Sequence, residues 1–284
     1  MKKPPWLNKK IDFKKCHAIK VLLKGLKLHT ICQEASCPNI SECFAKGVAT
    51  FLILGDICTR NCRFCGVKKG SPGAIDFEEP ERVAEAAQRL NLRHVVITSV
   101  TRDDIDDGGA EIFARTIFHI QNKIKNIAIE VLIPDFKGNK KAIKKVIEAG
   151  PDIIGHNIET VPRLYPYLRQ ANYLGSLNVL KTAKTLNNHI YTKSGLMLGL
   201  GEKEEEVLEV LRALREVNCD FLSIGQYLPP SLEHFPIKEY IHPDRFDYYK
   251  KKALELGFLY VASGPYVRSS YLAEEYLCQI KIKN

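Results

Sequence analysis

The chain has 284 residues, 45% apolar and 26% charged, the make-up of a folded globular protein and not of a disordered or fibrous one. Lys and Arg outnumber Asp and Glu by 42 to 33, a formal charge of +9. No stretch reaches the roughly 18 apolar residues of a membrane helix, and the basic start Met-Lys-Lys-Pro-Pro-Trp lacks the apolar run of a signal peptide. A cytoplasmic protein with no membrane partner is expected. The basic residues are dispersed in small groups such as Lys140-Lys141 and Lys250-Lys251-Lys252, so no nucleic-acid partner is expected either.

The first 49 residues show one periodic stretch, a basic helix predicted at about Asp12–Lys27. A repeating pattern follows. Apolar, β-branched runs at Phe51–Leu54, His94–Ser99, Ile127–Ile133, Asp152–His156, Tyr191–Leu198 and Phe221–Ile224 read as strands. Each is followed by helical spacing, at Pro80–Asn91, Ala110–Lys123, Lys140–Ala149, Leu174–Leu186, Glu202–Val217 and Pro243–Leu256. Thr160–Leu168 fits neither pattern, and a last strand is predicted at Phe258–Ala262. Asp106 and Asp107 precede a helix, where carboxylates cap free amides, while Gly150-Pro151 and Gly257 follow helices as stop signals. Strands apolar on both faces, alternating with amphipathic helices, predict an α/β fold with a parallel sheet. Six such units predict a partial (β/α)6 TIM-type barrel. The expected organisation is an N-terminal extension at 1–49, the barrel at 50–260 and a C-terminal extension at 261–284, with no boundary inside the barrel.

Six of the nine cysteines fall in two groups of three: Cys32-x4-Cys37-x5-Cys43 and Cys58-x3-Cys62-x2-Cys65. The second group directly follows the first predicted strand, where barrel enzymes place catalytic loops. Zinc sites favour four ligands, often as paired Cys-x2-Cys, and neither group contains a His. Disulfides do not suit the expected compartment, and buried core thiols do not cluster in polar loops. A [4Fe–4S] cluster takes four ligands, so three cysteines leave one iron open to a small molecule. Of the other three, Cys219 reads as a core thiol, and Cys16 and Cys278 as surface or partly buried thiols.

Cys58-x3-Cys62-x2-Cys65 after the first strand, with Phe64 before the last cysteine, resembles the radical S-adenosylmethionine (SAM) superfamily. The resemblance narrows with Cys32-Gln-Glu-Ala-Ser-Cys37-Pro-Asn-Ile-Ser-Glu-Cys43, Ser99-Val-Thr-Arg-Asp103-Asp104, Glu130-Val-Leu-Ile-Pro-Asp135, His156-Asn157-Ile-Glu159, Lys193-Ser-Gly-Leu-Met-Leu-Gly-Leu-Gly201-Glu202, Gly225-Gln226 and Arg268-Ser269-Ser270-Tyr271. Together these stretches resemble the lipoyl synthase family from about residue 30 to 275. The resemblance implies two [4Fe–4S] clusters. Cys58, Cys62 and Cys65 would bind the one whose open iron chelates SAM. Cys32, Cys37 and Cys43 would hold an auxiliary cluster, with Ser270 as fourth ligand and Ser269 as the runner-up. It implies sulfur insertion at C6 and C8 of an octanoyl group carried on a lysine of a lipoyl carrier domain. Each insertion would consume one SAM, by hydrogen abstraction through a 5′-deoxyadenosyl radical. Implied partners are octanoylated 2-oxoacid dehydrogenase E2 subunits and glycine cleavage H protein, a ferredoxin- or flavodoxin-type donor, and iron–sulfur assembly or carrier proteins.

Polar residues at barrel strand ends are expected to face such a site. They are Thr98, Ser99 and Asp103 after the second strand, Glu130 within the third, and Asn157 and Glu159 after the fourth. Lys193 on the fifth and Gln226 after the sixth complete the set, and several are expected to contact SAM. Departures from the family pattern occur at Gly66, at Leu168–Tyr173, where an Arg-Pro-Gly loop is commoner, and at Pro229-Pro230-Ser231-Leu232. The competing readings are another radical SAM sulfur inserter, including an RNA-modifying one, an iron–sulfur electron carrier, and a zinc-stabilised binding module. The electron carrier and the zinc module have no need of six strand–helix units with polar strand ends.

Overall fold

The computed structural model describes residues 2–8, 13–45 and 50–276; Cys278 and the side chain of Cys16 lie outside them. Two compact units emerge. The N-terminal unit comprises Lys10–Asn61 and Gly66–Ile154, and the C-terminal unit Met1–Lys9, Cys62–Cys65 and Gly155–Asn284.

In the N-terminal unit, helix α1 (Phe13–Gly25) leads to strand β1 (His29–Thr30) and two short helices, α2 (Ile31–Glu34) and α3 (Ile40–Ala45). Strand β2 (Thr50–Ile53) is followed by a small parallel pair, β3 (Ile57–Cys58) and β4 (Lys68–Lys69), then α4 (Glu79–Arg89), β5 (His94–Ser99), α5 (Ala110–Lys123), β6 (Ala128–Leu132) and α6 (Lys140–Glu148). β2 pairs parallel with β5, Phe51 opposite Ile97, and β5 parallel with β6, Val96 opposite Glu130. β1 runs antiparallel on the outer side of β2. Val95, Ile97, Ile129 and Val131 are buried with Val83, Phe113, Ile117 and Val146 from the helices. Each such side chain contributes about 1.5–3 kcal/mol. Asp107 bears out its capping role: its carboxylate accepts from the Gly109 and Glu111 amides, both at 2.9 Å.

Strand β7 (Ile153–Gly155) carries the chain into the C-terminal unit. There follow a 3₁₀ turn at Pro162–Leu164, which accounts for the stretch that fits neither period, then α7 (Tyr165–Leu168), α8 (Tyr173–Leu186), β8 (Tyr191–Leu198), α9 (Glu204–Glu216), β9 (Phe221–Gln226), α10 (Pro243–Glu255) and β10 (Tyr260–Gly264). β8, β9 and β10 are parallel neighbours, Ser194 opposite Leu222 and Leu222 opposite Val261. Val207, Leu211, Leu214, Leu222, Ile224 and Tyr249 form the core beneath them. β10 starts two residues later than predicted because α10 ends on a Schellman-type stop. Gly257 takes φ 94°, and the Phe258 amide is spent on the Ala253 carbonyl at 3.3 Å. The six strand–helix units of the sequence are thus present, in a mostly parallel α/β fold.

Candidate functional site

In the N-terminal unit Cys58 ends β3, and its sulfur accepts hydrogen bonds from the Thr101 and Arg60 amides at 3.3 and 3.4 Å. The Thr59 hydroxyl donates to the Thr101 carbonyl at 2.9 Å and accepts from the Asp103 amide at 3.1 Å. Arg60 is held from two sides. Its Nε and Nη2 meet Asp103 at 2.7 and 2.9 Å, and its Nη1 and Nη2 meet Asp135 at 2.8 and 2.7 Å. Burial alone would favour the neutral guanidine, but the two carboxylates outweigh it and hold Arg60 charged above its ordinary range.

In the C-terminal unit the Cys65 amide donates to the Cys62 carbonyl at 3.1 Å, a single tight turn, and the Gln170 amide donates to the Cys62 sulfur at 3.4 Å. Phe64, between them, packs against the core of this unit.

Cys32 and Cys43 of the first triad lie in the two short helices that the periodicity of residues 1–49 does not show, and Cys37 lies in the stretch between them. Cys32 in α2 is buried and takes backbone and side-chain hydrogen bonds from Thr50. Ser36, at φ 49°, turns the chain between Cys32 and Cys37, and the Cys37 amide donates to the Cys32 carbonyl at 3.0 Å. Cys43 sits in α3, its amide on the Asn39 carbonyl at 2.9 Å. Burial, reinforced by the charge of Cys37, pushes the Cys32 thiol up to about 11.

None of the six cysteines forms a disulfide among the described residues. Among the described residues no three His, Cys, Asp or Glu side chains are gathered as a metal ion requires, so the fit to iron–sulfur ligation rests on donor chemistry. That chemistry suits it: thiolate-forming side chains in two sets, with amide donors aimed at the Cys58 and Cys62 sulfurs, a recognised lever on cluster potential.

The strand-end residues fall into two groups. Ser99 at the end of β5 has a buried hydroxyl with no hydrogen-bond partner among the described residues, a group that a bound molecule would satisfy. Asn157 donates to Glu159 at 3.1 Å and to the Ser269 hydroxyl at 2.6 Å. Burial pushes the Glu159 carboxyl above its ordinary range against the pull of Arg169 and Asn157. The others are engaged within the fold. Thr98 donates to the Leu132 carbonyl at 3.0 Å, and Asp103 holds Arg60. Glu130 lies 3.4 Å from His94, and Lys193 lies 3.6 Å from the Tyr276 ring centroid. Gln226 donates to the Leu198, Tyr227 and Glu239 carbonyls and accepts from the Ile241 amide at 2.8 Å. Position along the strand did not reveal Arg60 or Arg169 as site residues. The available signal for Arg60 was the pair of aspartates, Asp103 and Asp135, placed after successive strands.

The Arg268-Ser269-Ser270-Tyr271 segment lies beyond β10. Arg268 Nη1 donates to the Val267 carbonyl at 2.6 Å, and that carbonyl presses on Gly225 of β9, where a Cβ would stand 2.1 Å from it.

A strand–helix α/β fold with a Cys-x3-Cys-x2-Cys loop after its first parallel strand defines the radical SAM class, and the radical SAM superfamily profile matches residues 52–214. The fold agrees with solved structures of methylornithine synthase (TM-score 0.57, 18% identity, 86% of this chain and 73% of that one) and of a maturase of the [FeFe]-hydrogenase (TM-score 0.58, 18% identity, 89% and 63%). Lipoyl synthase of Caldicellulosiruptor saccharolyticus is 60% identical over 276 residues, covering 96% of this chain and 97% of its own. Those of Caldanaerobacter subterraneus subsp. tengcongensis and Alkaliphilus metalliredigens are each 55% identical, covering 96% and 97% of this chain and 96% of their own lengths. The chain belongs to the lipoyl synthase family. Its class is therefore that of the radical SAM, sulfur-inserting enzymes, with SAM and [4Fe–4S] clusters as cofactors and an octanoylated lipoyl carrier as substrate. Among the described residues no helix is long and apolar enough to cross a membrane.

Proposed function

We propose that Cys58, Cys62 and Cys65 hold the cluster that binds SAM, and that Cys32, Cys37, Cys43 and Ser270 hold the auxiliary cluster. When bound, these groups supply reductive cleavage of SAM to a 5′-deoxyadenosyl radical, which takes hydrogen from C6 and C8, and the sulfide that replaces it. The observation that carries this reading is 60% identity to a lipoyl synthase across 96% of the chain, joined to two complete cysteine triads.

The residues of the chain then divide the work. The Thr101 and Arg60 amides orient the Cys58 sulfur, and the Gln170 amide that of Cys62. Ser99, Asn157 and Glu159 present the polar groups for SAM; the unspent Ser99 hydroxyl supports this placement. Thr98, Asp103, Glu130, Lys193 and Gln226 are the remaining strand-end candidates, each with polar atoms engaged within its own unit. The Ser269 hydroxyl accepts from Asn157, which favours Ser270 as the oxygen ligand. Oxygen is a harder donor than thiolate and binds iron less firmly, so that corner of the cluster is the easier one to release. In this division residues 1–49 carry the auxiliary cysteines, 50–260 the SAM machinery and 261–284 the serine. The carriers are E2 subunits and glycine cleavage H protein, the electron source is a ferredoxin or flavodoxin, and iron–sulfur assembly proteins deliver the clusters in the cytoplasm. The charge of +9 suits an acidic carrier domain, whose binding then weakens with salt.

The test supplies an octanoylated carrier peptide, SAM and reductant to anaerobically reconstituted protein. Mass spectrometry is expected to show two sulfurs gained and 5′-deoxyadenosine formed, from protein holding about eight irons. Formation of 5′-deoxyadenosine without sulfur gain overturns the substrate assignment, and about four irons with Cys32→Ala unchanged overturns the auxiliary cluster.

A further inference from the structure

The two loops that depart from the family pattern, Leu168–Tyr173 and Pro229–Leu232, belong to stretches that converge on the segment Cys62–Cys65 in the C-terminal unit. From one side the Leu168 carbonyl accepts from the Arg63 amide at 2.8 Å, and the Gln170 amide reaches the Cys62 sulfur. From the other side the Phe235 amide donates to the Arg63 carbonyl at 2.9 Å, and the Arg63 guanidinium lies 5.4 Å from the Phe235 ring centroid. Next to Phe235, His234 Nε2 stands 3.1 Å from the Cys65 carbonyl oxygen.

The chemistry of this last contact fixes its direction. A carbonyl only accepts, so Nε2 carries the proton. In the neutral imidazole Nδ1 is then an acceptor, and the Ser231 hydroxyl, 2.8 Å away, donates to it. The Ser231 oxygen in turn accepts from the Glu233 amide at 3.3 Å. The far end of the loop is moored by buried Tyr227, whose hydroxyl donates to the Phe235 carbonyl at 2.7 Å. Ser231, Leu232 and Glu233 are otherwise exposed, so the loop makes its inward contacts through His234 and Phe235.

We propose that His234, oriented by Ser231, is a positioning residue for Cys65: it fixes the main chain that presents the third cysteine of the SAM-binding triad. The proposal rests on the assignment of Cys58, Cys62 and Cys65 to that cluster. His234 touches no reacting atom. It acts through the carbonyl of Cys65 itself, the residue whose sulfur must meet iron.

The test compares His234→Ala, His234→Gln and Ser231→Ala in the full chain. Gln keeps an N–H donor near the Nε2 position, so it is the conservative rescue. In the cluster-free protein, hydrogen exchange of the peptide spanning Cys62–Gly66 is expected to quicken about three- to tenfold in His234→Ala, the worth of one hydrogen bond. A smaller rise is expected in Ser231→Ala and near-normal exchange in His234→Gln. In reconstituted protein the electron paramagnetic resonance signal of the reduced SAM-binding cluster, and its change on adding SAM, are expected to alter in His234→Ala and return in His234→Gln. Unchanged exchange and an unchanged signal in His234→Ala overturn the proposal. So does quickening spread evenly over the chain if Ser231→Ala then shows no local effect. Cys65→Ala is the control: if the signal survives it, the cluster assignment itself is wrong, and the exchange result still judges the positioning claim.

Discussion

Arg60 and Asp103 form a two-pronged ion pair, Nε to Oδ2 at 2.7 Å and Nη2 to Oδ1 at 2.9 Å, that ties the second residue after Cys58 to the loop following β5. Asp135 closes on the same guanidinium, and the side chains of Arg60 and Asp135 are each only 12% exposed. Removing the cation leaves two carboxylates facing each other away from water. Arg60→Met is expected to cost about 3 kcal/mol, with Arg60→Lys in between because it keeps the charge and loses the fork. Chemical denaturation of the cluster-free protein measures this. A loss under about 0.5 kcal/mol would rank the pair with ordinary surface ion pairs.

Arg163 and Glu206 give a pH dependence. The Arg163 guanidinium, hydrogen-bonded to the carboxylate at 2.7 and 2.8 Å, pulls Glu206 down to about 2. The folded value lies below the unfolded one, so the stabilisation is complete above about pH 4.5 and is lost as pH falls toward 2. Glu206→Gln should therefore lower the melting temperature slightly at pH 7 and converge with the parent protein by about pH 2. A gap that persists at acid pH would mean that the charge is not the cause.

Cys219 is fully buried, and burial pushes its thiol up to about 12. Its sulfur also donates to the Phe221 carbonyl at 3.4 Å. Alkylation of the native cluster-free protein, followed by peptide mass mapping, is expected to spare Cys219 while modifying Cys58, Cys62 and Cys65. Labelling of Cys219 at a comparable rate would contradict its place in the core.

Gly225 allows the Val267 carbonyl to sit directly on β9, and a Cβ at 2.1 Å forces that carbonyl away. Gly225→Ala is expected to displace the segment leading to Ser270 and to lower bound iron from about eight toward about four per chain. SAM cleavage without sulfur insertion should remain. Full iron content in this variant would separate Ser270 from the auxiliary cluster.

The sequence was most legible where a run is buried on both faces or a helix is fully amphipathic. His94–Ser99, Tyr191–Leu198 and Ala110–Lys123 have the bounds that their patterns predict. Ile31–Glu34 and Ile40–Ala45 were hidden because helices of four and six residues show barely more than one turn of the 3.6-residue period. The cysteines were legible because their spacing is local. The Arg60 clamp was not, since its partners lie 43 and 75 residues away. Strand position alone also does not tell which polar side chain is already spoken for. Glu130 and Lys193 turn toward His94 and Tyr276, partners that only the folded chain supplies.

The side chain of Gln226 holds both feet of the excursion that begins at Tyr227, gripping carbonyls at Leu198, Tyr227 and Glu239 and the amide of Ile241. Closing a loop costs entropy that grows only with the logarithm of its length, and here the closure is made at the base by a single buried amide. Residues at the crest, Pro229 and Pro230 among them, can therefore be exchanged without disturbing the register of β9 below. One glutamine thus separates the loop mechanically from the sheet that carries it.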